Sequence, residues 1–258
     1  MKIGFFDLPS GLFDRVQHFF DGFLPPIISI LFWALLAAFL SMKFYAWCSD
    51  QQALKQLKPL QKQARERLAT YDGPFDGLLP LVRENLAMSL KHMRLTLLPA
   101  LFGSLPLLFL LPWLSNTYSL SFPSAGTAIT VKAEGIDITN LYWSTQAAVK
   151  ELKPGDWELT WPESGADVEL MLGDDASLLT IPLTAPSPVV HKKQWWNNLF
   201  ANPAGYIAAD SPIQAVFLEL PPQQFLPIGP SWLRGWLSVF LAGLIVFSLL
   251  FKWFWRLR

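Results

Sequence analysis

The chain has 258 residues, 52% of them hydrophobic and only 16% charged, with 20 basic and 20 acidic side chains in balance. So few charges are unusual for a soluble domain of this length, and zero net charge gives no overall bias toward DNA. The single Cys48 excludes an intramolecular disulfide and any multi-cysteine metal site, and beside an apolar run it reads as an inert thiol.

Residues 1–23 read as an amphipathic helix lying in the outer membrane interface. Leu12, Val16, Phe19, Phe20 and Phe23 recur at helical spacing, and Asp14, Arg15, Gln17 and His18 fall between them. His18 is read as a polar-face residue rather than a metal ligand. The first 20 residues hold one early Lys and no small-residue cleavage site, so a cleaved signal peptide is not expected.

Residues 24–48 make the first transmembrane helix. The stretch 22–42 carries no charge, and about 20 such residues cross ~30 Å of hydrocarbon as a helix. Pro25 and Pro26 suit the start of that helix.

Residues 49–94 are rich in Lys, Arg, Gln and Leu. Leu54, Leu57, Leu60 or Gln61, Ala64, Leu68 and Tyr71 form one stripe at three-four spacing. Leu79, Val82, Leu86, Leu90, Met93 and Leu97 form a second. Asp72-Gly73-Pro74-Phe75-Asp76-Gly77 between them is a turn cluster. The spacing predicts two antiparallel helices meeting along those stripes in a narrow coiled-coil seam. Each would be about 20 residues, so the pair reaches ~30 Å from the membrane. Pro59 and Pro80 are expected to kink or start helices. Lys55, Lys58, Lys62, Arg65 and Arg67 read first as a solvated face, and as a functional surface they suit anionic lipid, ribosomal RNA or an acidic cytoplasmic partner.

Residues 95–114 are again uncharged and make the second transmembrane helix, with Pro99, Gly103, Pro106 and Pro112 predicting a kinked helix packed against others. The stretch 115–230 is too long to be a connector. Alternating pairs such as Ile129/Val131, Trp157/Leu159 and Leu179/Ile181, punctuated by Gly135, Pro154-Gly155, Gly165 and Gly173-Asp174-Asp175, predict an extracytoplasmic β-sandwich-like domain. Gly173-Asp174-Asp175 reads as a hairpin turn, not a carboxylate metal site. Residues 194–207, opening with Gln194-Trp195-Trp196, are expected to include an interfacial helix, and Ile213 to Leu220 one more strand. Residues 231–258 supply a third transmembrane helix and a basic tail.

The fold class expected is therefore a mixed membrane protein. Three transmembrane α-helices are combined with a cytoplasmic helical hairpin and an outer β domain. Lys43 to Arg94 holds nine basic residues against five acidic, and Ser115 to Pro230 holds five against twelve. By the positive-inside tendency the hairpin and C-terminus are cytoplasmic, and the N-terminus and the acidic stretch lie outside an inner (plasma) membrane. No phosphate-binding glycine loop, His-Glu-x-x-His motif or nucleophile elbow occurs, and the three His stand at 18, 92 and 191. No cofactor, metal or covalent chemistry is expected.

Two segments carry a family resemblance. Lys55-Gln56-Leu57-Lys58-Pro59-Leu60-Gln61-Lys62-Gln63 resembles a hairpin entry of the form leucine-x-proline-x-leucine. Leu86-Ala87-Met88-Ser89-Leu90-Lys91-His92, running on to Leu98-Pro99-Ala100-Leu101-Phe102-Gly103-Ser104-Leu105-Pro106, resembles the matching hairpin exit and the opening of the next helix. With the order interfacial helix, span, hairpin, span, roughly the first 114 residues resemble the YidC-type membrane protein insertase superfamily. The first span lacks the Arg that bacterial insertases carry in their polar groove; its interior polar side chains are Ser29 and Ser41. The chain also has three expected spans where the usual core has five.

The resemblance implies a protein that aids insertion, folding or assembly of membrane proteins, with a partner supplying further spans. Lys43 and Arg94 at the cytoplasmic mouth, with Ser41 and Ser104, are the candidate substrate contacts; the plainer reading of both cations is snorkelling to lipid phosphates. The basic residues of the hairpin are the candidate partner surface. Expected partners are membrane lipids, other membrane subunits or client proteins, and a ribosome or other cytoplasmic component at the hairpin. A scaffold subunit of an envelope complex is the alternative. An enzyme acting on lipid or glycan has no motif behind it.

Overall fold

The computed structural model describes residues 4–136, 138, 140–145, 149–173 and 176–255. In chain order, a 3₁₀ turn (Phe5–Asp7) leads to helices α1 (Ser10–Asp21), α2 (Pro26–Cys48), α3 (Gln51–Ala69) and α4 (Phe75–Tyr118). Strands β1 (Ala128–Gly135), β2 (Leu141–Trp143), β3 (Val149–Lys153), β4 (Asp156–Thr160), β5 (Val168–Leu172), β6 (Ala176–Ile181) and β7 (Val189–His191) follow. A second 3₁₀ turn (Trp195–Asn198), β8 (Ile213–Leu218), and helices α5 (Ser231–Arg234) and α6 (Trp236–Phe254) complete the chain. Three helices, α2, α4 and α6, are long and apolar enough to cross a membrane.

The chain divides into two compact units. One comprises Met1–Ile27 with Phe109–Val239, the other Ile28–Leu108 with Phe240–Arg258.

In the first unit the strands form two antiparallel sheets, ordered β3-β4-β1-β8-β7 and β2-β5-β6. Their alternation is the physical cause of the fold. Ile129, Val131 and Ala133 of β1 are buried while Thr130, Lys132 and Glu134 face out, and Trp157 and Leu159 of β4 lie on the same inward side. These residues share one apolar core with Val168, Leu170 and Ile181 of the smaller sheet. Trp143 meets Trp157 edge-on at 5.7 Å, which joins the two sheets by their largest side chains. Gly155 takes φ 82° in the tight β3–β4 turn, a conformation that disfavours any side chain. Gly173 likewise has φ 58° at the end of β5; the Asp174-Asp175 half of that expected turn lies outside the described residues.

The end of α4 anchors this sheet unit. Gln223 Nε2 donates to the carbonyls of Leu120 (2.7 Å) and Thr117 (3.2 Å), and Trp236 Nε1 donates to Ser119 Oγ at 3.0 Å. The N-terminal segment joins the same unit. Trp113 Nε1 donates to Asp14 at 2.7 Å, with the Phe13 ring edge-on to the indole. The Ala201 amide donates to Asp7 at 2.6 Å, and Phe6 stacks on Phe200 at 4.9 Å.

In the second unit, Ile30, Trp33, Ala34, Ala37 and Ala38 of α2 are buried. Small residues set the helix spacing. A Cβ on Gly103 of α4 would lie 3.2 Å from the Ser41 carbonyl oxygen, and one on Gly243 of α6 would lie 3.0 Å from Leu31 and 3.1 Å from Ala34. Two glycines on different helices thus both abut α2, the kind of close approach that favours helix association where apolar burial alone gives little driving force.

Helix α4 takes in both the second helix of the expected hairpin and the second expected span. It runs unbroken for 44 residues, through the 94/95 junction and through Pro80, Pro99, Pro106 and Pro112. Likewise α3 passes through Pro59. The segment around Trp195 differs from expectation: it is a four-residue 3₁₀ turn closed by a capping box between Gln194 and Asn197, not an extended interfacial helix.

Candidate functional site: the apolar helices and the α3–α4 hairpin

Helix α3 starts at Asp50, whose carboxylate accepts from the Ala53 amide at 2.8 Å. It buries Leu54, Leu57, Gln61 and Ala64, the stripe expected from the sequence. The turn at 70–74 returns the chain, and Gln61 Nε2 reaches Ser89 Oγ at 3.5 Å. That contact identifies the face of α4 that meets α3. Along α4 the less exposed positions are Leu78, Leu81, Asn85, Met88, Ser89 and His92.

The expected seam on α4 is therefore corrected. Leu79, Val82, Leu86, Leu90 and Met93 are exposed, Leu86 at 58% and Met93 at 52%, against 4% for Leu57. The reason is physical. Helix α4 carries two stripes at three-four spacing, and the more polar one takes the contact with Gln61. Asn85 Oδ1 is buried on it with no hydrogen-bond partner, a burden an apolar seam would not carry. The purely apolar stripe is left without cover among the described residues.

The candidate substrate contacts form no shared polar bond among the described residues, although Gly103, next to Ser104, abuts the Ser41 carbonyl. Lys43 Nζ lies 5.0 Å from the Trp255 ring centroid and 5.9 Å from that of Phe39. Phe251 stacks on Trp255 at 5.1 Å and completes an aromatic surface under the ammonium. A cation on aromatic faces is stabilised there without an anion. Arg94 is exposed on α4, in no ion pair among the described residues. Ser104 donates to the Leu101 carbonyl at 2.7 Å, and Thr96 to His92 and Met93 in the same manner, so both hydroxyls are turned back onto their own helix. Ser29 and Ser41 are the exceptions: their Oγ atoms are buried with no hydrogen-bond partner among the described residues. No hydrogen bond or ion pair joins Lys43, Ser41, Arg94 and Ser104 among the described residues.

No protein-family model matches the chain, and neither a curated protein nor a solved structure does.

The basic residues Lys55, Lys58, Lys62, Arg65 and Arg67 are all exposed on α3. Lys62 pairs with Glu66 at 3.7 Å, a surface i,i+4 pair worth about 0.3–0.5 kcal/mol at most. Lys55, Lys58, Arg65 and Arg67 form no ion pair among the described residues and are open to an external anion. In the sheet unit, Glu134 hydrogen-bonds Lys132 at 2.8 Å, and that bond and its charge raise the lysine above its ordinary pKa; both are solvated side chains on an outward strand face. Among the described residues no three His, Cys, Asp or Glu gather as metal ligands.

A second exposed apolar surface lies in the first unit. Phe5, Leu8, Leu12 and Phe19 of the N-terminal segment are exposed, as are Trp195 and Leu199. The Phe6 amide donates to the Leu199 carbonyl at 2.9 Å, so the two segments are neighbours. Helix α1 turns Phe13 and Gln17 inward and leaves Leu12 and Phe19 outward, and Phe23 just past its end is exposed as well. An aromatic-rich surface of this kind suits the headgroup layer of a bilayer.

Proposed function

We propose that this chain is a multi-pass inner-membrane protein that aids the insertion, folding or assembly of other membrane proteins, acting with a partner that supplies further spans. The observation that carries the reading is the exposed apolar stripe of α4. It passes without a break in the helix from the charged hairpin at Leu79 to Leu97 and Leu101 in the uncharged stretch. A segment leaving water for lipid would find apolar surface along that whole path. The surplus of basic residues between Lys43 and Arg94, with acidic residues prevailing between Ser115 and Pro230, supports a cytoplasmic hairpin and an outer sheet unit. The resemblance to the YidC-type superfamily points the same way and is part of the proposal.

The need for a partner follows from the interior of the second unit. A hydrated hollow that lowers the ~2.5 kcal/mol or greater cost of a charge at mid-bilayer requires polar lining. Here Thr96 and Ser104 are spent on their own helix and Lys43 is held by aromatic rings. The same scarcity favours a scaffold subunit as the second reading.

Reconstitution in liposomes separates these. Alone, the protein is expected to leave a short-tailed, single-span client protease-sensitive, and with a co-purifying partner to protect it. Efficient insertion by the protein alone, abolished by Lys43→Ala with Arg94→Ala, would replace the partner model by an autonomous groove. Absence of insertion in both arrangements would select the scaffold. Orientation has its own test: in intact cells a Cys placed at Asp174 should be labelled directly, and one at Asp72 only after permeabilisation. The opposite pattern would invert the topology.

A further inference from the structure

We propose that one face of the α3–α4 hairpin is a docking surface for an acidic amphipathic helix of another protein. This deepens the reading above, resting on it only for the statement that α2 and α4 enter a membrane.

The face follows from helical geometry. Helical positions turn by about 100° per residue. On α4, the stripe Leu79, Val82, Leu86, Leu90 and Met93 lies about a third of a turn beyond the face that meets α3. On α3, Lys58, Lys62 and Arg65 lie about a sixth to a third of a turn beyond its buried stripe, in the same sense. The two helices run antiparallel, so one sense of rotation carries both sets to the same side of the pair. The Gln61–Ser89 contact sets their level: the α3 cations stand alongside Leu86 to Met93. Beyond the stripe on its other border come Arg83, Arg94 and Lys91, all exposed. The surface is thus an apolar row whose borders are mainly cationic, with Glu66, paired to Lys62, and Asp76 as the acids among them.

That pattern selects the occupant. An apolar row calls for an apolar stripe at helical spacing, and two mainly basic borders call for acidic flanks on the same helix. A second copy of this chain would bring basic rows together and is disfavoured. The bilayer surface is disfavoured by length. At 44 residues, α4 is about 66 Å long, more than twice the ~30 Å hydrocarbon layer. The uncharged stretch 95–114 fills that layer, leaving the part from Phe75 to Arg94 about 30 Å of reach into water. Leucines distributed along such a reach cannot all lie on one lipid surface while the helix also crosses it steeply.

The test uses the full-length protein in phosphatidylcholine nanodiscs with fluorescein-labelled helical peptides of about 20 residues. One peptide has leucines at three-four spacing flanked by glutamates, and the other has lysines in place of the glutamates. The acidic peptide should bind, with affinity falling as salt rises, and the lysine peptide should not. Leu86→Gln with Leu90→Gln should weaken binding about tenfold or more. Lys58→Glu with Lys62→Glu should do the same and improve binding of the lysine peptide. All four side chains are exposed, so these variants keep the hairpin folded, which protease resistance will verify. Equal binding of both peptides, no binding, or wild-type binding by the leucine variant would overturn the proposal. A bimane label on Leu86→Cys, with Cys48→Ser, addresses the alternatives. A blue shift in phosphatidylglycerol nanodiscs without peptide would assign the face to anionic lipid, and a dimer dissolved by the leucine variant would assign it to a second copy. Either result overturns the proposal. Peptide binding in a protein that never supports client insertion would keep this inference and remove the insertase reading.

Discussion

Leu57→Asp is expected to unfold the α3–α4 hairpin, whereas Leu86→Asp is expected to leave it intact. The two leucines were interchangeable in the sequence pattern, but one is 4% exposed and the other 58%. At position 57 the substitution removes a buried side chain, at about 2–5 kcal/mol. It also forces a carboxylate into the seam beside Gln61, adding at least about 1–3 kcal/mol unless water enters. Position 86 loses no buried contact, and surface changes usually stay within about 0.5 kcal/mol. Limited proteolysis at the 70–74 turn reads the difference. Rapid cleavage of the Leu57 variant, with wild-type resistance in the Leu86 variant, is the expected pair of results. Equal cleavage of both would mean that the apolar stripe of α4 is covered after all.

The second large effect is expected at the glycines that abut α2. Replacing Gly243 with Leu places several carbons where a single Cβ already comes within 3.0 Å of Leu31 and 3.1 Å of Ala34. Ala34 is fully buried and has no rotamer to yield, so the helices must move apart. Overpacking of this kind typically costs about 1–3 kcal/mol. Gly103→Leu meets a backbone carbonyl at Ser41 and is expected to cost as much or more. The check is unfolding in mixed micelles at rising SDS fraction, with Gly22→Leu as the control, since nothing lies within 4 Å of a Cβ there. A control as damaging as the Gly243 variant would refute the packing argument.

How far the sequence could be read depended on the kind of signal. Three apolar helices were legible because length and absence of charge suffice to mark them. The strands were legible where burial alternates, as in Ile129/Val131 and Trp157/Leu159, because one face of each meets a core. The α4 seam was not legible, since periodicity marks an apolar stripe without saying what it faces. The decisive contact, Gln61 with Ser89, is polar and joins residues 28 apart. The prolines of α4 did not mark where it ends: a proline removes one hydrogen bond, and a long helix can absorb that and continue. Of the candidate site, Lys43 was legible as a cation at a helix end, but its aromatic support was not. Trp255 and Phe251 lie some 200 residues further along the chain, and no local pattern pairs them with it.

The tie between Asp7 and the Ala201 amide bears on how the protein is made. The partners are separated by 194 positions, so this tie forms only once Ala201 has been made, whereas the contacts of Phe6 with Phe109 and of Asp14 with Trp113 are open to it well before. Closing such a loop carries a high entropic cost and comes late. The waiting segment includes Phe5, Phe6, Leu8 and Leu12, which in water would invite aggregation. In the membrane protein proposed above, a bilayer surface would offer these side chains a holding place until Phe200 is synthesised and Phe6 can stack on it. The N-terminal segment is accordingly joined to the sheet unit in two stages, first to the end of α4 and later to the segment around Phe200.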